Sequence, residues 1–252
     1  MSNRPNACPG CQQEQFAYPF TMAFQPIVDL RENRIDAHEA LVRGPAGESA
    51  AAVLAQLDAQ NLYAFDQACR VKAIELAARL KMDNRLNINF LPNAVYQPKA
   101  CIRQTLSAAA RTGFPLDRLT FEFTEGEQIS DERHLLSIIE EYRRHGFKIA
   151  LDDFATGYSG LARLADLRPD IIKLDRALVK DCDTDKMRLS IITSMVALGT
   201  DVGIKVVAEG IERSEEVDAL RAVGVRFMQG FYFARPLFEG LVGVDTIRWP
   251  AG

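Results

Sequence analysis

The spacing between the first two apolar segments constrains the fold most. Thr21–Leu30 (TMAFQPIVDL) and Ile35–Val42 (IDAHEALV) both read as strands, and only Arg31-Glu32-Asn33-Arg34 separates them. Four residues are too few for a parallel crossover, so these strands form an antiparallel hairpin. Pro26 within the first suits an edge or irregular strand better than a regular central one.

Beyond the hairpin the text alternates between two periods. Helices are predicted over Ser49–Gln60, Ala64–Leu80, Pro98–Thr112, Asp131–His145, Ser159–Leu167, Asp185–Thr200 and Ser214–Val223. In the second helix, Ala68, Val71, Ile74 and Leu76 form the buried side, with Arg70, Lys72, Glu75 and Arg79 in solvent. Ser130 is a candidate cap for the fourth helix and Gly146 its stop. Strands are predicted over Leu86–Phe90, Leu119–Thr124, Phe147–Asp152, Asp170–Asp175, Ile204–Glu209 and Val225–Gln229. Regular alternation implies a mostly parallel sheet with helical crossovers. Eight strands in about 210 residues suit a closed (β/α)8 barrel, with an open doubly wound sheet as the alternative. Residues 1–18 read as a polar leader, 19–241 as a single domain and 242–252 as a short tail.

Polar residues fall at the ends of these apolar runs: Glu39, Asn89, Glu122, Asp152 with Asp153, Lys173, Glu209 and Gln229. In a barrel the strand ends open on one face, the face that carries active sites. Glu within FEF or Asn within INF is costly to bury without a partner. Glu39, Asn89, Glu122 and Asp152 offer oxygen ligands from four strands, suited to Mg²⁺ or Mn²⁺. Asp153 and Glu209 could hold a second cation sharing Asp152, the arrangement of two-metal phosphodiester cleavage. Lys173 could neutralise phosphate charge or position the attacking water, and Arg43 could clamp the phosphate. Read singly, each has a plainer explanation: Lys173 as a salt-bridged lysine, Asn89 as a strand cap. His38 should face away from Glu39, and His134 and His145 read as solvated helix residues. Phe231, Tyr232 and Phe233 read as core, although one could also stack a base.

Charge and composition narrow the partners. Net charge is 30 − 34 = −4, with no basic block of the kind DNA or RNA binding requires. No apolar run approaches the roughly 18 residues of a membrane span. Five cysteines, an odd number, fit a reduced, cytoplasmic protein. Cys8-Pro-Gly-Cys11 lacks a second pair nearby and reads as a disordered, redox-sensitive tail, with metal binding shared between chains as the alternative.

The ordered set FQPIVD, EALVRG, NINF, FEFTE, LDDFATGYSG, DIIKLD, KVVAEGIE and MQGFYFARP resembles the bacterial EAL-domain cyclic-di-GMP phosphodiesterases over almost the whole chain. The tripeptide alone carries no weight; the set is specific. The resemblance implies a TIM-like (β/α)8 barrel whose first strand runs antiparallel, and hydrolysis of cyclic di-GMP to linear pGpG with two Mg²⁺ or Mn²⁺ ions. It implies Glu39, Asn89, Glu122, Asp152 and Asp153 as metal ligands and Lys173 with Glu209 as the catalytic pair. Asp175 and Glu212 would lie in the second-metal region. Gln229 would complete the site; Gln25, Arg43 and Arg235 would contact substrate. Glu125, with Thr124, would anchor the loop after Asp153 and couple the site to a homodimer. Ala155 stands where the family commonly has glycine, and alanine at a left-handed position costs about 1 kcal/mol. A cyclic-di-GMP receptor or protein-binding regulator on the same barrel is the alternative; relatives of that kind usually lack an acidic ligand, and this chain lacks none. No separate sensory or cyclase domain is expected.

Overall fold

The computed structural model describes residues 16, 18–124, 131–154 and 160–250. Cys8, Cys11, Glu125, Ser130 and Ala155 lie outside the described residues. The chain opens with β1 (Thr21–Asp29) and β2 (Arg34–Arg43), paired antiparallel along their whole length around the turn at 30–33. Alternation follows: α1 (Ala50–Leu54), α2 (Leu62–Arg79), β3 (Arg85–Asn89), α3 (Pro98–Thr112), β4 (Leu119–Thr124), α4 (Glu132–Arg144), β5 (Lys148–Phe154) and α5 (Gly160–Leu167). Then come β6 (Ile171–Leu174), α6 (Arg176–Val179), α7 (Lys186–Val202), β7 (Lys205–Ala208), α8 (Ser214–Ala222), β8 (Phe227–Met228) and β9 (Leu237–Phe238).

β2 through β8 run parallel in sequence order, and β1 closes the ring between β8 and β2, antiparallel to both. This is the expected TIM-like (β/α)8 barrel with a reversed first strand. β9 is a ninth, unpredicted strand: two residues pair with Ala23 and Phe24 of β1. Along that flank β8 reaches only Val28 and Asp29, so Gln25–Ile27 pair with neither neighbour. Pro26 sits in this gap, next to a register shift against β2 at Ile27/Val28, where a missing N–H is tolerated.

Several helix expectations change. The first helix stops at Leu54, after Ser49 caps it, because Asp58 and Asn61 bond each other's backbone and side chains to make a turn. Asp131 caps α4, its carboxylate accepting from Arg133 and His134 N–H. Arg70, expected in solvent, is fully buried. His134 donates to the Val95 carbonyl and His145 faces Glu141 at 3.4 Å, so neither is simply solvated. Cys69, Cys101 and Cys182 are buried. Among the described residues no helix is long and apolar enough to cross a membrane.

Two apolar layers result. The larger fills the space between strands and helices. The smaller is the barrel floor, Ile27, Ala37, Ala150, Ile171 and Val207, with Phe227 against it. Side chains alternate along a strand, so the residue two positions towards the rim points into the same interior. Those residues are Gln25, Glu39, Asp152, Lys173, Glu209 and Gln229.

Asp29 locks the seam between β1 and β8. Its side chain is wholly buried and accepts a fork from Arg226, Nε at 2.7 Å and Nη2 at 2.6 Å. It also accepts the Arg31 N–H at the turn. Burial pushes the carboxyl up, but the Arg226 fork and these backbone donors outweigh it and hold it below the usual range. Asp29→Asn is expected to lower stability by about 2–3 kcal/mol, since it strips one partner from a buried charged pair. Urea denaturation checks this; an unchanged midpoint would show that the seam does not depend on the fork.

Candidate functional site

Lys173 occupies the centre of the open end. Its side chain is wholly buried, and Nζ lies 2.7 Å from Glu209 Oε1, 2.8 Å from Glu122 Oε2, and 3.3 Å from both Glu39 Oε2 and Asp152 Oδ2. The Glu209 contact is a charge pair outside hydrogen-bond alignment. β6 delivers Lys173 two residues above the floor residue Ile171, so the fold itself places a cation among carboxylates from β2, β4, β5 and the end of β7.

Amides orient the acids. Asn89 Nδ2 donates to Glu39 Oε1 at 2.9 Å, and Gln229 Nε2 donates to Glu39 Oε2 at 2.9 Å. Gln229 also reaches Gln25 Oε1 at 3.3 Å, and Gln25 donates to the Ala234 carbonyl at 3.2 Å. Gly230 lets this end pack closely: a Cβ there would lie 2.1 Å from the Ile211 carbonyl oxygen. Asn87 Nδ2 donates to Glu122 Oε1 at 2.6 Å. Asn87 was not among the expected residues, yet period two within LNINF puts it on the same face as Asn89.

Asp152 points inward by ordinary alternation, and Asp153 joins it through a bulge. Leu151 opposes Ile172 and Phe154 opposes Leu174, so two β5 residues face one β6 residue. Asp153 takes a left-handed φ of 53°, a conformation aspartate tolerates better than most side chains. Its N–H donates to Asp152 Oδ1 at 2.9 Å.

The charges do not balance. Four carboxylates face one ammonium. Burial pushes Glu39 up, but Lys173 and the amide donors outweigh it and hold this carboxyl below its usual range. Burial pushes Glu122 up to about 8, with Lys173 opposing and Glu39 and Asp152 adding to the rise. Burial likewise raises Asp152 and, well above the usual range, Glu209. Asp153 rises to about 6 through burial and then the charges of Asp152 and Asp175. Burial opposes the charge on Lys173, yet the surrounding carboxylates hold its pKa well above normal. The cluster therefore calls for protons or for a further cation. One oxygen each from Glu39, Glu122 and Asp152 lie within 4.8 Å of one another, a hard-oxygen set that fits a divalent metal ion.

The other expected residues lie around this centre. Arg43 is half-buried at the end of β2, within the field of Glu39, and donates to the Val42 carbonyl at 2.7 Å. Thr124 ends β4 opposite Asp152. Asp175 caps α6 through the Ala177 N–H at 2.7 Å. Glu212 pairs with Arg176 at 2.8 Å, outside the Glu39, Glu122, Asp152 and Glu209 carboxylates that surround Lys173. Arg235 stacks over exposed Phe231, 4.3 Å from the ring centroid, while Tyr232 and Phe233 are core. His38 faces away, its Nδ1 3.0 Å from Asn84 Oδ1.

The EAL domain model matches residues 12–236. The chain belongs to the EAL domain family. A standalone versatile EAL protein from Vibrio cholerae O395, solved with c-di-GMP bound, is 49% identical with a TM-score of 0.87; the match covers 90% of this chain and 96% of that one. Klebsiella pneumoniae BlrP1 in a manganese and cyclic-di-GMP complex is 36% identical with a TM-score of 0.85, over 91% of this chain and 59% of that one. The Escherichia coli K12 antirepressor BluF is 29% identical over 90% of this chain, and the probable cyclic di-GMP phosphodiesterase PdeG of the same organism 31% identical over 85%. The chain spans 56% of BluF and 44% of PdeG, about half the length of these relatives.

The raised carboxyls fix the sign of a pH effect. Glu122 loses its proton near 4.5 when unfolded and at about 8 when folded, so the unfolded chain releases its proton first as pH rises. Stability of the metal-free protein is expected to fall from pH 5 to pH 8. A divalent ion held by these carboxylates would displace those protons. The melting-temperature rise produced by Mn²⁺ should therefore be larger at pH 8 than at pH 6. Differential scanning fluorimetry with and without Mn²⁺ checks both, and Glu122→Gln should flatten the metal-free slope.

Proposed function

We propose that this EAL domain is a divalent-cation-dependent phosphodiesterase that opens cyclic di-GMP to linear pGpG. The observation that carries the reading is the charge-deficient cluster around Lys173, with its hard-oxygen cradle. Glu39, Asn89, Glu122 and Asp152 would hold one Mg²⁺ or Mn²⁺. Asp153, already in the field of Asp175, would help hold a second beside Asp152, and Glu212 would join by releasing Arg176. Such ions make water a stronger nucleophile near neutral pH and neutralise charge on phosphate oxygens during in-line displacement.

The chain's own groups do the rest. Lys173 is a fixed positive charge beside the acids and offsets negative charge building on phosphate. Glu209 has the most exposed carboxylate of the four around Lys173, 16% accessible, and burial raises its proton affinity, so in its ionised form it can hold the attacking water and take its proton. Arg43 and Gln25 would contact the phosphodiester side of the substrate. The Arg235–Phe231 stack at the rim offers a flat face for a guanine. Thr124, with Glu125, would anchor the loop after Asp153. A cytoplasmic homodimer belongs to the same reading; Met187 and Ile191, one turn apart on α7 and exposed, offer apolar surface for it. Similarity to an antirepressor keeps a regulator on the same barrel as a second reading.

Purified protein with Mg²⁺ or Mn²⁺ should convert cyclic di-GMP to pGpG, resolved by chromatography, and a chelator should stop it. Glu39→Ala should reduce turnover at least about 100-fold. Nucleotide binding without conversion would favour the regulator. No binding at all would sink both nucleotide readings.

A further inference from the structure

Behind the wall that carries Asn89 and Glu122 lies a second buried ionic cluster. Asp66 and Arg70 sit one turn apart on α2, 2% and 0% exposed. Arg70 Nη2 pairs with Asp66 Oδ2 at 2.5 Å, and Arg70 donates to the Tyr142 hydroxyl on α4. The guanidinium carbon lies 5.4 Å from the ring centroids of both Phe90 and Phe121. Asp66 Oδ1 accepts the Leu91 N–H at 2.9 Å.

The contacts to Phe90, Phe121 and Leu91 touch chain neighbours of proposed ligands. Phe90 and Leu91 directly follow Asn89, and Phe121 directly precedes Glu122. The Phe90 N–H donates to the Glu122 carbonyl at 2.8 Å, joining the two strands at that point. Adjacent strand residues face opposite sides, so holding Phe90 and Phe121 from outside fixes where Asn89 and Glu122 point inside. Stability alone is a weak reason for such a pair, because apolar replacements of buried ion pairs are often neutral or stabilising. We propose that Asp66 and Arg70 are positioning residues that set the Asn89–Glu122 edge of the cation site from behind the barrel wall. This rests on the divalent-cation reading of the cluster, and it adds residues that never touch the ion or the substrate.

The test is Mn²⁺ affinity of the whole protein by isothermal titration calorimetry, beside its melting temperature. Asp66→Asn with Arg70→Met removes both charges together, so neither is left uncompensated in the core. The expected result is a melting temperature near that of the native protein with Mn²⁺ bound about tenfold more weakly, the range seen when supports of metal ligands are lost. An Ile192→Ala control in α7, destabilised away from the wall, should keep native affinity. A folded double variant with native Mn²⁺ affinity overturns the proposal. If the double variant does not fold, Asp66→Glu decides: it keeps the charge pair but shifts the carboxylate relative to Leu91, and should also weaken Mn²⁺ about tenfold. Native affinity in that variant overturns the proposal. A native protein that binds no Mn²⁺ would instead remove the cation reading itself, and this proposal with it.

Discussion

The open end of the barrel depends on one buried ammonium. Lys173 draws carboxylates from four different elements to within 3.3 Å of Nζ. Without it, those acids would meet in a space closed from below by an apolar floor, where mutual repulsion and lost hydration both act against folding. With it, four acids still face one base. Glu39 stays ionised because it also collects donors from Asn89 and Gln229, and Glu122 and Glu209 carry the strain as raised proton affinities. The same imbalance that works against the fold makes the site attractive to a hard cation. Stability and binding are thus set by one charge count.

The reversed first strand has a chemical consequence. In the parallel strands the rim residue follows the floor residue by two positions, as Lys173 follows Ile171. β1 runs the other way, so its rim residue precedes its floor residue, and Gln25 stands above Ile27. That places an amide rather than an acid against Gln229, and the two amides together support Glu39. The Asp29–Arg226 fork at the lower end of the same strand holds β1 against β8 where the ladder between them is only two residues long.

The barrel was legible because its signal is carried by spacing: a turn too short for a crossover, then regular alternation. The rim was legible because polar groups interrupting apolar runs need partners, and alternation put those groups on one face. Arg70 was not legible. Beside the apolar side formed by Ala68, Val71, Ile74 and Leu76 it reads as a solvent-facing arginine; only the tertiary packing of Phe90, Phe121 and Tyr142 around the guanidinium shows otherwise. α2 buries more than one stripe because it packs on the strands and also on α3, which defeats a single-face reading. β9 was missed because two residues give no periodicity, and its pairing partner is a strand more than two hundred residues earlier.

Two adjacent acids cannot both point into a barrel from a regular strand. Asp152 and Asp153 come close only because β5 bulges and Asp153 adopts a left-handed backbone. Such a conformation is held by its surroundings rather than preferred by the residue, and here the Asp153 N–H bond to Asp152 is part of what holds it. The bulge sacrifices ladder regularity at the point where the site gains charge density. On the opposite wall, β3 and β4 stay regular, and their regularity is backed from outside by Phe90, Phe121 and the buried pair on α2. The cation cradle thus spans a deformed strand and a rigid one: on β5, Asp153 is brought beside Asp152 by distortion, whereas Asn89 and Glu122 are placed by packing.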